Sequence, residues 1–309
     1  MEKIIITFKI LFIVIIWMLL YIEYKYLFYL KNDITTTKNN KFSTLPNKRK
    51  NTFKRGFLLN DYNKTETSKS KYNVDEYADI IPILTYHKIL SDSEKRKKIY
   101  HMSSLAISKS TFNKQMKWLK KREYRTLNCQ EFYLWHQRET ELPKKSVLIT
   151  FDGGTTGQAN YAMPILKKYN MKGVSFIIGK YTYNNKKGII SYNKMNKLKK
   201  KYPNFDFQSH TFDLHKRIRK NDYEETIRDA AKQNKYFNFT FLAYPYGAFT
   251  SGMIKAYIKS GIKMAFTYGN NGYATRNQNK YMIRRIKVNG RDSFSKFTRW
   301  FDMHNFINK

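Results

Sequence analysis

The 309-residue chain has a single cysteine, Cys129, and shows no internal repeat. One thiol excludes an intramolecular disulfide and a thiolate zinc cluster, because each of them needs more than one cysteine. Hydrophobic residues make up 41% of the sequence and aromatic residues 17%. A wholly disordered chain is therefore excluded, and the length allows one large domain or two ordinary ones.

Acidic residues are also scarce, which leaves a large positive charge. Lysine and arginine number 59 against 23 aspartates and glutamates, so the formal net charge is +36. This charge exceeds what solubility requires and favours an anionic partner. Nucleic acid, an anionic lipid surface and an anionic cell wall are all candidates for this partner. Alternatively, a low-GC codon bias could raise the lysine content without any selection for binding.

One long apolar run lies near the amino terminus. Residues 10–22 carry no charge, and together with the residues back to Ile4 they reach about 20 residues, the length of a membrane-spanning helix. The sequence therefore predicts a signal anchor within residues 1–30. A cleavable signal peptide and a buried core helix are the alternatives, although no small-x-small cleavage site follows Ile22.

Residues 31–79 are rich in lysine, asparagine and threonine, with little apolar periodicity, which predicts a flexible basic linker. The positive-inside rule applied to these lysines would place the rest of the chain in the cytoplasm, so the membrane orientation stays open. The folded domain is expected over residues 80–309.

From Ile80 onward, short β-branched runs alternate with longer segments of helical period. This alternation predicts an α/β domain with mainly parallel strands, in the form of a distorted (β/α) barrel. The predicted strands are 81–86, 147–151, 173–178, 205–209, 240–244, 263–267 and 282–286. The predicted helices are 110–121, 130–138, 159–169, 191–201, 222–237, 251–259 and 293–301.

Polar residues follow several of these strands, where α/β folds place their chemistry. His87, Asp152 and His210 each come directly after a predicted strand, and the segment Tyr-Pro-Tyr-Gly at 244–247 lies at the end of another. We expect these features to converge on one rim. The Tyr-Pro-Tyr-Gly turn would present backbone N–H groups that can stabilise an oxyanion.

His210 and His215 are candidate ligands of one metal ion, since imidazole suits zinc and related divalent ions. Their spacing places them about 140° apart on a helix and on opposite faces of a strand, so both can bind one ion only across a bend. Asp152 precedes Gly153 and Gly154, which permit a sharp turn and a close backbone approach to a ligand. Ordinary packing of the histidines and an ordinary turn at the glycines are the alternatives.

The order of these motifs is recognisable. They are Ile-Pro-Ile-Leu-Thr-Tyr-His at 81–87, Thr-Phe-Asp at 150–152, Ser-His-Thr-Phe-Asp-Leu-His at 209–215 and Ala-Tyr-Pro-Tyr-Gly at 243–247. Over residues 80–305 the chain resembles the polysaccharide deacetylases of carbohydrate esterase family 4. Within that family it is most similar to the biofilm poly-β-1,6-N-acetyl-D-glucosamine N-deacetylases of the intercellular adhesin type.

The resemblance implies metal-assisted amide hydrolysis on the NodB-like fold, with a divalent metal, expected to be zinc, as the cofactor. Asp152 matches the family's general base, and His210 and His215 match its two metal-binding histidines. His87 matches the histidine that protonates the leaving amine. Tyr246 matches the residue whose backbone N–H helps to form the oxyanion hole.

One position departs from the family pattern. The family has two consecutive aspartates, the second of which binds the metal, and here the second position is Gly153. The site then keeps two histidines, whereas catalytic zinc usually has three protein ligands. Three explanations are open: water or another carboxylate such as Asp213 fills the gap, the metal binds weakly, or the chain is a non-catalytic relative.

The expected function is deacetylation of poly-N-acetylglucosamine at the cell surface, by a membrane-anchored or secreted enzyme. Chitin oligomers and peptidoglycan are alternative substrates. A catalytically degenerate carbohydrate-binding relative is the second hypothesis, and a basic membrane-tethered nucleic-acid binder is the third. No nucleic-acid-binding signature is found, so the positive charge is assigned to an anionic cell wall or lipid surface rather than to a specific nucleic acid.

Overall fold

The computed structural model describes residues 77–215, 223–269 and 272–307, which all lie in the unit Lys71–Lys309. The predicted signal anchor at 1–30 and the predicted linker up to residue 76 lie outside the described residues. Within the described ranges, no helix combines the length and the apolar character that a membrane crossing requires. Tyr77, three residues before the expected start of the domain, already bridges Pro143.

Strands and helices alternate along the described chain. The strands are β1 (Ile80–Ile81), β2 (Ile83–Tyr86), β3 (Lys88–Leu90), β4 (Ala106–Ser108), β5 (Arg125–Leu127), β6 (Ser146–Asp152), β7 (Gly173–Ile177), β8 (Phe205–Ser209), β9 (Phe241–Ala243), β10 (Met264–Phe266), β11 (Ala274–Thr275) and β12 (Ile286–Lys287). The helices are α1 (Asp92–Arg96), α2 (Lys98–His101), α3 (Lys109–Lys121), α4 (Cys129–His136), α5 (Met163–Lys168), α6 (Gly179–Tyr183), α7 (Tyr192–Lys201), α8 (Tyr223–Tyr236), α9 (Ser251–Lys259) and α10 (Phe294–Ile307). A π-helical turn spans Gln158–Ala162 and a 3₁₀ turn spans Pro245–Gly247.

The main sheet is parallel and curled. Its strand order is β10-β9-β8-β7-β6-β2-β12, and β5 also pairs with β6. Phe266 of β10 forms a parallel bridge with Ile283, which lies just before β12, so the two ends of the strand order meet. The curled parallel sheet with its helices confirms the predicted α/β class with mainly parallel strands, and the sheet curls into a half-barrel.

The sheet is buried on both faces. Every residue of β6 is buried, as expected for a central parallel strand that is covered on each side. Ile149 and Phe151 pack in one apolar cluster with residues of α3 and α5, whereas Leu148 packs in a second cluster with Trp135 of α4. Burial of each such side chain contributes about 1.5–3 kcal/mol, so these alternating positions fix the register of β6 against its neighbours.

Two predicted elements differ from the structure. The first predicted strand is divided into β1 and β2 at Pro82, because proline has no N–H group to donate to a ladder. The predicted strand at 282–286 is confirmed only at Ile286, where β12 begins, and as a single bridge at Ile283. The side chain of Arg285 is buried and engaged in hydrogen bonds across the barrel, so this segment is not the apolar strand that the pattern indicated.

Candidate active site

The structure brings the candidate residues to one rim of the sheet. His87 directly follows β2, Asp152 is the last residue of β6, and His210 directly follows β8. Because parallel strands end at the same edge of a sheet, these three positions lie beside one another. The ring of His215 lies with its centroid 5.2 Å from that of His210 and 5.0 Å from that of Tyr246.

Asp152 is held by a buried arginine. Nη1 and Nη2 of Arg285 donate to the two carboxylate oxygens of Asp152, each over 2.8 Å. Nε of Arg285 donates to the carbonyl of Thr267 over 2.7 Å, and Nη1 also donates to Oγ1 of Thr150 over 3.2 Å. The side chains of Arg285 and Asp152 are 0% and 3% exposed, so the pair is almost fully removed from water.

This environment keeps Asp152 ionised. Burial by itself would raise the pKa of the carboxyl group, but the charge of Arg285, then that of His210, and the hydrogen bonds from Arg285 hold the pKa well below its usual range. Asp152 is therefore a carboxylate at any physiological pH.

His210 is neutral and has a fixed orientation. Nδ1 lies 2.7 Å from the carbonyl oxygen of Ala243, so this nitrogen carries the proton and donates it. Burial lowers the pKa of His210 to about 4, against the opposing effect of Asp152. The other ring nitrogen, Nε2, is left unprotonated, as a metal ligand requires.

His215 and Tyr246 stand at the more open side of the rim. Burial lowers the pKa of His215, so it is neutral at pH 7 as well. Tyr246 has φ 59°, in the left-handed region, and its side chain is 52% exposed. The following Gly247 is required, because a Cβ there would stand 2.1 Å from the carbonyl oxygen of Tyr268.

His87 lies opposite, against the ring of Tyr268 at a centroid distance of 5.1 Å. Burial lowers the pKa of His87, while the charge of Asp152 partly raises it and the charges of Arg285, Lys287 and His215 lower it further. His87 is thus a neutral imidazole within the electrostatic reach of both Asp152 and His215.

Gln158 connects the two loops that carry His87 and Asp152. Its Nε2 donates to the carbonyl of His87 over 3.1 Å and to the carbonyl of Asp152 over 3.0 Å, and its Oε1 accepts from the hydroxyl of Ser175 over 2.6 Å. Gln158 is 0% exposed and begins the π-helical turn. Such turns occur frequently at functional sites, and this one places a side-chain amide between two loops of the rim.

The donor set fits a divalent metal ion in part. Two neutral imidazoles, His210 and His215, converge and suit such an ion. Among the residues that the structure describes, however, no group of three or more His, Cys, Asp or Glu side chains is placed to hold one. Both oxygens of Asp152 face Arg285, and Asp213 pairs at the surface with Lys180, with 2.7 Å between Oδ2 and Nζ.

Gly153 occupies the position where a third ligand was expected. It has φ +88°, and a Cβ built there meets no other atom within 4 Å. Space for a side chain is therefore present, and the backbone conformation is the one that glycine adopts more easily than other residues.

Sequence reasoning missed Arg285 and Gln158. Two adjacent arginines, Arg284 and Arg285, lie inside the predicted strand at 282–286 and were a signal, because an arginine is buried only when it is paired. Gln158 directly precedes the predicted helix at 159–169, and nothing in the sequence around it distinguishes it from an ordinary loop residue.

Comparisons with known proteins agree with this geometry. A sequence model described as polysaccharide deacetylase matches residues 139–265. The poly-β-1,6-N-acetyl-D-glucosamine N-deacetylase of Staphylococcus aureus is 30% identical over an alignment of 247 positions, which covers 72% of this chain and 83% of that protein.

Solved structures share the fold. The Streptococcus pyogenes deacetylase PplD in complex with acetate matches with a TM-score of 0.62 at 24% identity, over 71% of this chain and 97% of that one. IcaB from Ammonifex degensii matches with a TM-score of 0.58 at 22% identity, over 75% of this chain and 98% of that one. Sequence and fold together therefore establish that the chain belongs to the polysaccharide deacetylase family, enzymes that hydrolyse the N-acetyl amide bonds of polysaccharides.

Proposed function

We propose that this protein is a metal-dependent N-deacetylase of poly-β-1,6-N-acetyl-D-glucosamine. The observation that carries the proposal is the neutral pair His210 and His215 beside the buried, ionised Asp152, on a chain that is 30% identical to the Staphylococcus aureus enzyme named for this substrate. Members of the family generally depend on a divalent metal, and zinc is the proposed ion because imidazole suits it.

The metal would be held by His210 and His215. When bound, a divalent ion supplies Lewis acidity and brings the pKa of water to about 7. The carbonyl of Ala243 orients His210 for this role through the hydrogen bond to Nδ1.

Asp152 is proposed as the general base. It stays charged because Arg285 lowers its pKa, and the same two hydrogen bonds fix the direction of its carboxylate. A positioned base of this kind contributes typically about 10²–10⁴-fold to a rate.

His87 is proposed to protonate the leaving amine. It is neutral at rest, because burial lowers its pKa. The proton that Asp152 accepts from the attacking water would pass to His87, which returns Asp152 to its charged form and lets His87 donate that proton to the amine. The charge of Asp152 raises the pKa of His87 and so favours the protonated form at that stage. The backbone N–H of Tyr246 is proposed to bind the oxyanion of the tetrahedral intermediate.

The proposed location is the cell surface. The apolar segment within residues 1–30 would anchor the protein or direct its export. Of the predicted linker at 31–79, residues 31–76 would act as a basic linker, and the catalytic domain expected over 80–309 would begin at Tyr77, which bridges Pro143. The formal charge of +36 would hold the protein near anionic lipid or cell-wall polymer. This charge would not serve to bind the polysaccharide, because the substrate is neutral and its deacetylated product is cationic.

Acetate release by the purified full-length protein from β-1,6-linked N-acetylglucosamine oligomers tests the proposal, with zinc, cobalt and nickel supplied in turn. We expect metal-dependent release that Asp152→Asn abolishes and that Asp302→Asn, which removes an exposed carboxylate of α10, leaves intact. Chitin and peptidoglycan oligomers are assayed in parallel, and faster release from either would replace the proposed substrate. Absence of release from all three polymers by folded, metal-saturated protein would favour the carbohydrate-binding hypothesis instead.

A further inference from the structure

The turn between His210 and His215 has a strained backbone. Thr211 has φ 68°, in the left-handed region, although it is β-branched. This conformation costs about 1–2 kcal/mol for a residue with a Cβ atom. Thr211 is 1% exposed, and its hydroxyl makes no hydrogen bond to any of the described residues. The strain must therefore be offset by contacts from outside the turn.

One set of contacts comes from α6. The N–H of Gly179 donates to the carbonyl of Thr211 over 3.0 Å, and the N–H of Lys180 donates to the carbonyl of Phe212 over 2.8 Å. The approach is close, since a Cβ on Gly179 would stand 2.7 Å from Cδ2 and 3.2 Å from Cα of Phe212, so a larger residue there would require Phe212 to shift. The carbonyl side of the turn is thereby fixed to the helix.

The opposite side of the turn is bound by one carboxylate. Oδ2 of Asp229, on α8, accepts the N–H of Phe212 over 2.9 Å, and Oδ1 accepts the N–H of Asp213 over 2.7 Å. Asp229 is 5% exposed. Burial raises its pKa, while the N–H groups of Phe212, Asp213 and Leu214 oppose that rise. Hydrogen bonds to a charged acceptor are roughly twice as strong as neutral ones, so this side chain is a strong constraint on the turn.

We infer that Asp229 is a positioning residue, which holds the strained turn at Thr211 and thereby sets the distance and relative orientation of the His210 and His215 rings. The importance of this role for catalysis rests on the proposed function. The positions of the two histidine rings do not depend on a bound metal. Asp229 acts through the backbone of residues 211–214 and forms no part of the reacting groups.

The test compares Asp229→Asn with Glu224→Gln in the full-length protein. Asparagine keeps the size of the side chain but turns an NH₂ group toward one of the two backbone N–H donors. Glu224 is an exposed carboxylate on the same helix, so its variant controls for the loss of charge on α8. Two quantities are measured: the ring ¹⁵N resonances of labelled histidines in metal-free protein, and the affinity for Co²⁺ alone.

With Asp229→Asn, we expect shifted resonances of His210 and His215, unchanged resonances of His136 on α4, and a Co²⁺ affinity lowered by about 10–100-fold. Glu224→Gln should match the wild type in both measurements. Wild-type resonances and wild-type Co²⁺ affinity in Asp229→Asn would overturn the inference. Wild-type protein that binds no Co²⁺ and releases no acetate would refute the proposed function, and the histidine resonances would still decide the role of Asp229.

A second variant covers the case in which Asp229→Asn does not fold. Glycine adopts φ near +68° without strain, so Thr211→Gly combined with Asp229→Asn should fold and recover the histidine resonances of the wild type. Failure of this double variant to fold would assign Asp229 to the stability of the whole domain and would overturn its positioning role.

Discussion

The ion pair of Arg285 and Asp152 gives the sharpest prediction for stability. Arg285→Met removes both hydrogen bonds to Asp152, which is 3% exposed, and also the donor to the Thr267 carbonyl. Removal of one partner of a buried pair costs about 3–5 kcal/mol. Each kcal/mol lowers the melting temperature by about 2–4 °C in a domain of this size, so we expect a fall of about 6–20 °C at pH 7.

The pH dependence of this loss follows from the pKa of Asp152. The folded-state pKa is depressed in the wild type, so the pair contributes stability above the ordinary aspartate pKa of about 3.9 and loses it as the pH falls through the lower folded value. Without Arg285, burial raises the pKa of Asp152. The difference in free energy of unfolding between wild type and Arg285→Met should therefore be largest near pH 7 and shrink as the pH falls toward 3.

The double variant Arg285→Met with Asp152→Asn tests whether the unpaired charge of Asp152 causes the loss of stability in Arg285→Met. It removes the carboxylate along with its partner, so it should be more stable than Arg285→Met alone by about 2 kcal/mol in urea denaturation, since the buried charge is gone. The reasoning is refuted if Arg285→Met loses less than about 1 kcal/mol, or if the double variant is the less stable of the two.

Three further changes have expected outcomes. Gly153→Asp should bind Co²⁺ at least about tenfold more tightly than Gly153→Asn in isothermal titration. The asparagine variant is the control, because it carries the same backbone strain without the charge. Equal affinities of the two variants would contradict a ligand position at residue 153. Gln158→Leu removes the side-chain donor to two backbone carbonyls, so it should lower the free energy of unfolding by about 1–3 kcal/mol and reduce kcat. A fully active variant would show that the link between the two loops is dispensable. Glu131→Gln should cost about 1–2 kcal/mol at pH 7, because Glu131 pairs with Arg125 and Lys172. Burial would raise the pKa of Glu131, but Lys172 and the other partners hold it below its ordinary value. The difference in free energy of unfolding should therefore shrink as the pH falls below the ordinary glutamate pKa of about 4.3 and vanish below the lower folded-state pKa. A difference in urea denaturation that stays constant with pH would contradict this reasoning.

The periodicity of apolar residues predicted the strands and helices that pack in the core. The strand at 205–209 and the helix at 251–259 coincide with β8 and α9, because both have apolar residues at the spacing of their secondary structure. The short elements β3 and α6 were not predicted. A strand of three residues or a helix of five carries too few apolar positions to show a period.

The site could be predicted where its residues follow strands, and not where they reach the rim from elsewhere. His87, Asp152 and His210 were found by their place at the ends of predicted strands. Arg285 and Asp229 act on the rim through contacts that only the folded chain reveals, since Arg285 is 133 positions from Asp152 and Asp229 is 16 from Asp213. Local sequence does not encode such pairings.

The separation between Asp152 and Arg285 also has a consequence for biosynthesis. The ribosome adds about 5–20 residues per second, so about 7–27 s pass between the synthesis of the carboxylate and that of the guanidinium that neutralises it. During this interval Asp152 must remain hydrated or take up a proton. A nascent chain that ends before Arg285 has β2, β6, β7, β8 and β9 in full. It still lacks the guanidinium group that allows the carboxylate of Asp152 to be buried in its charged form.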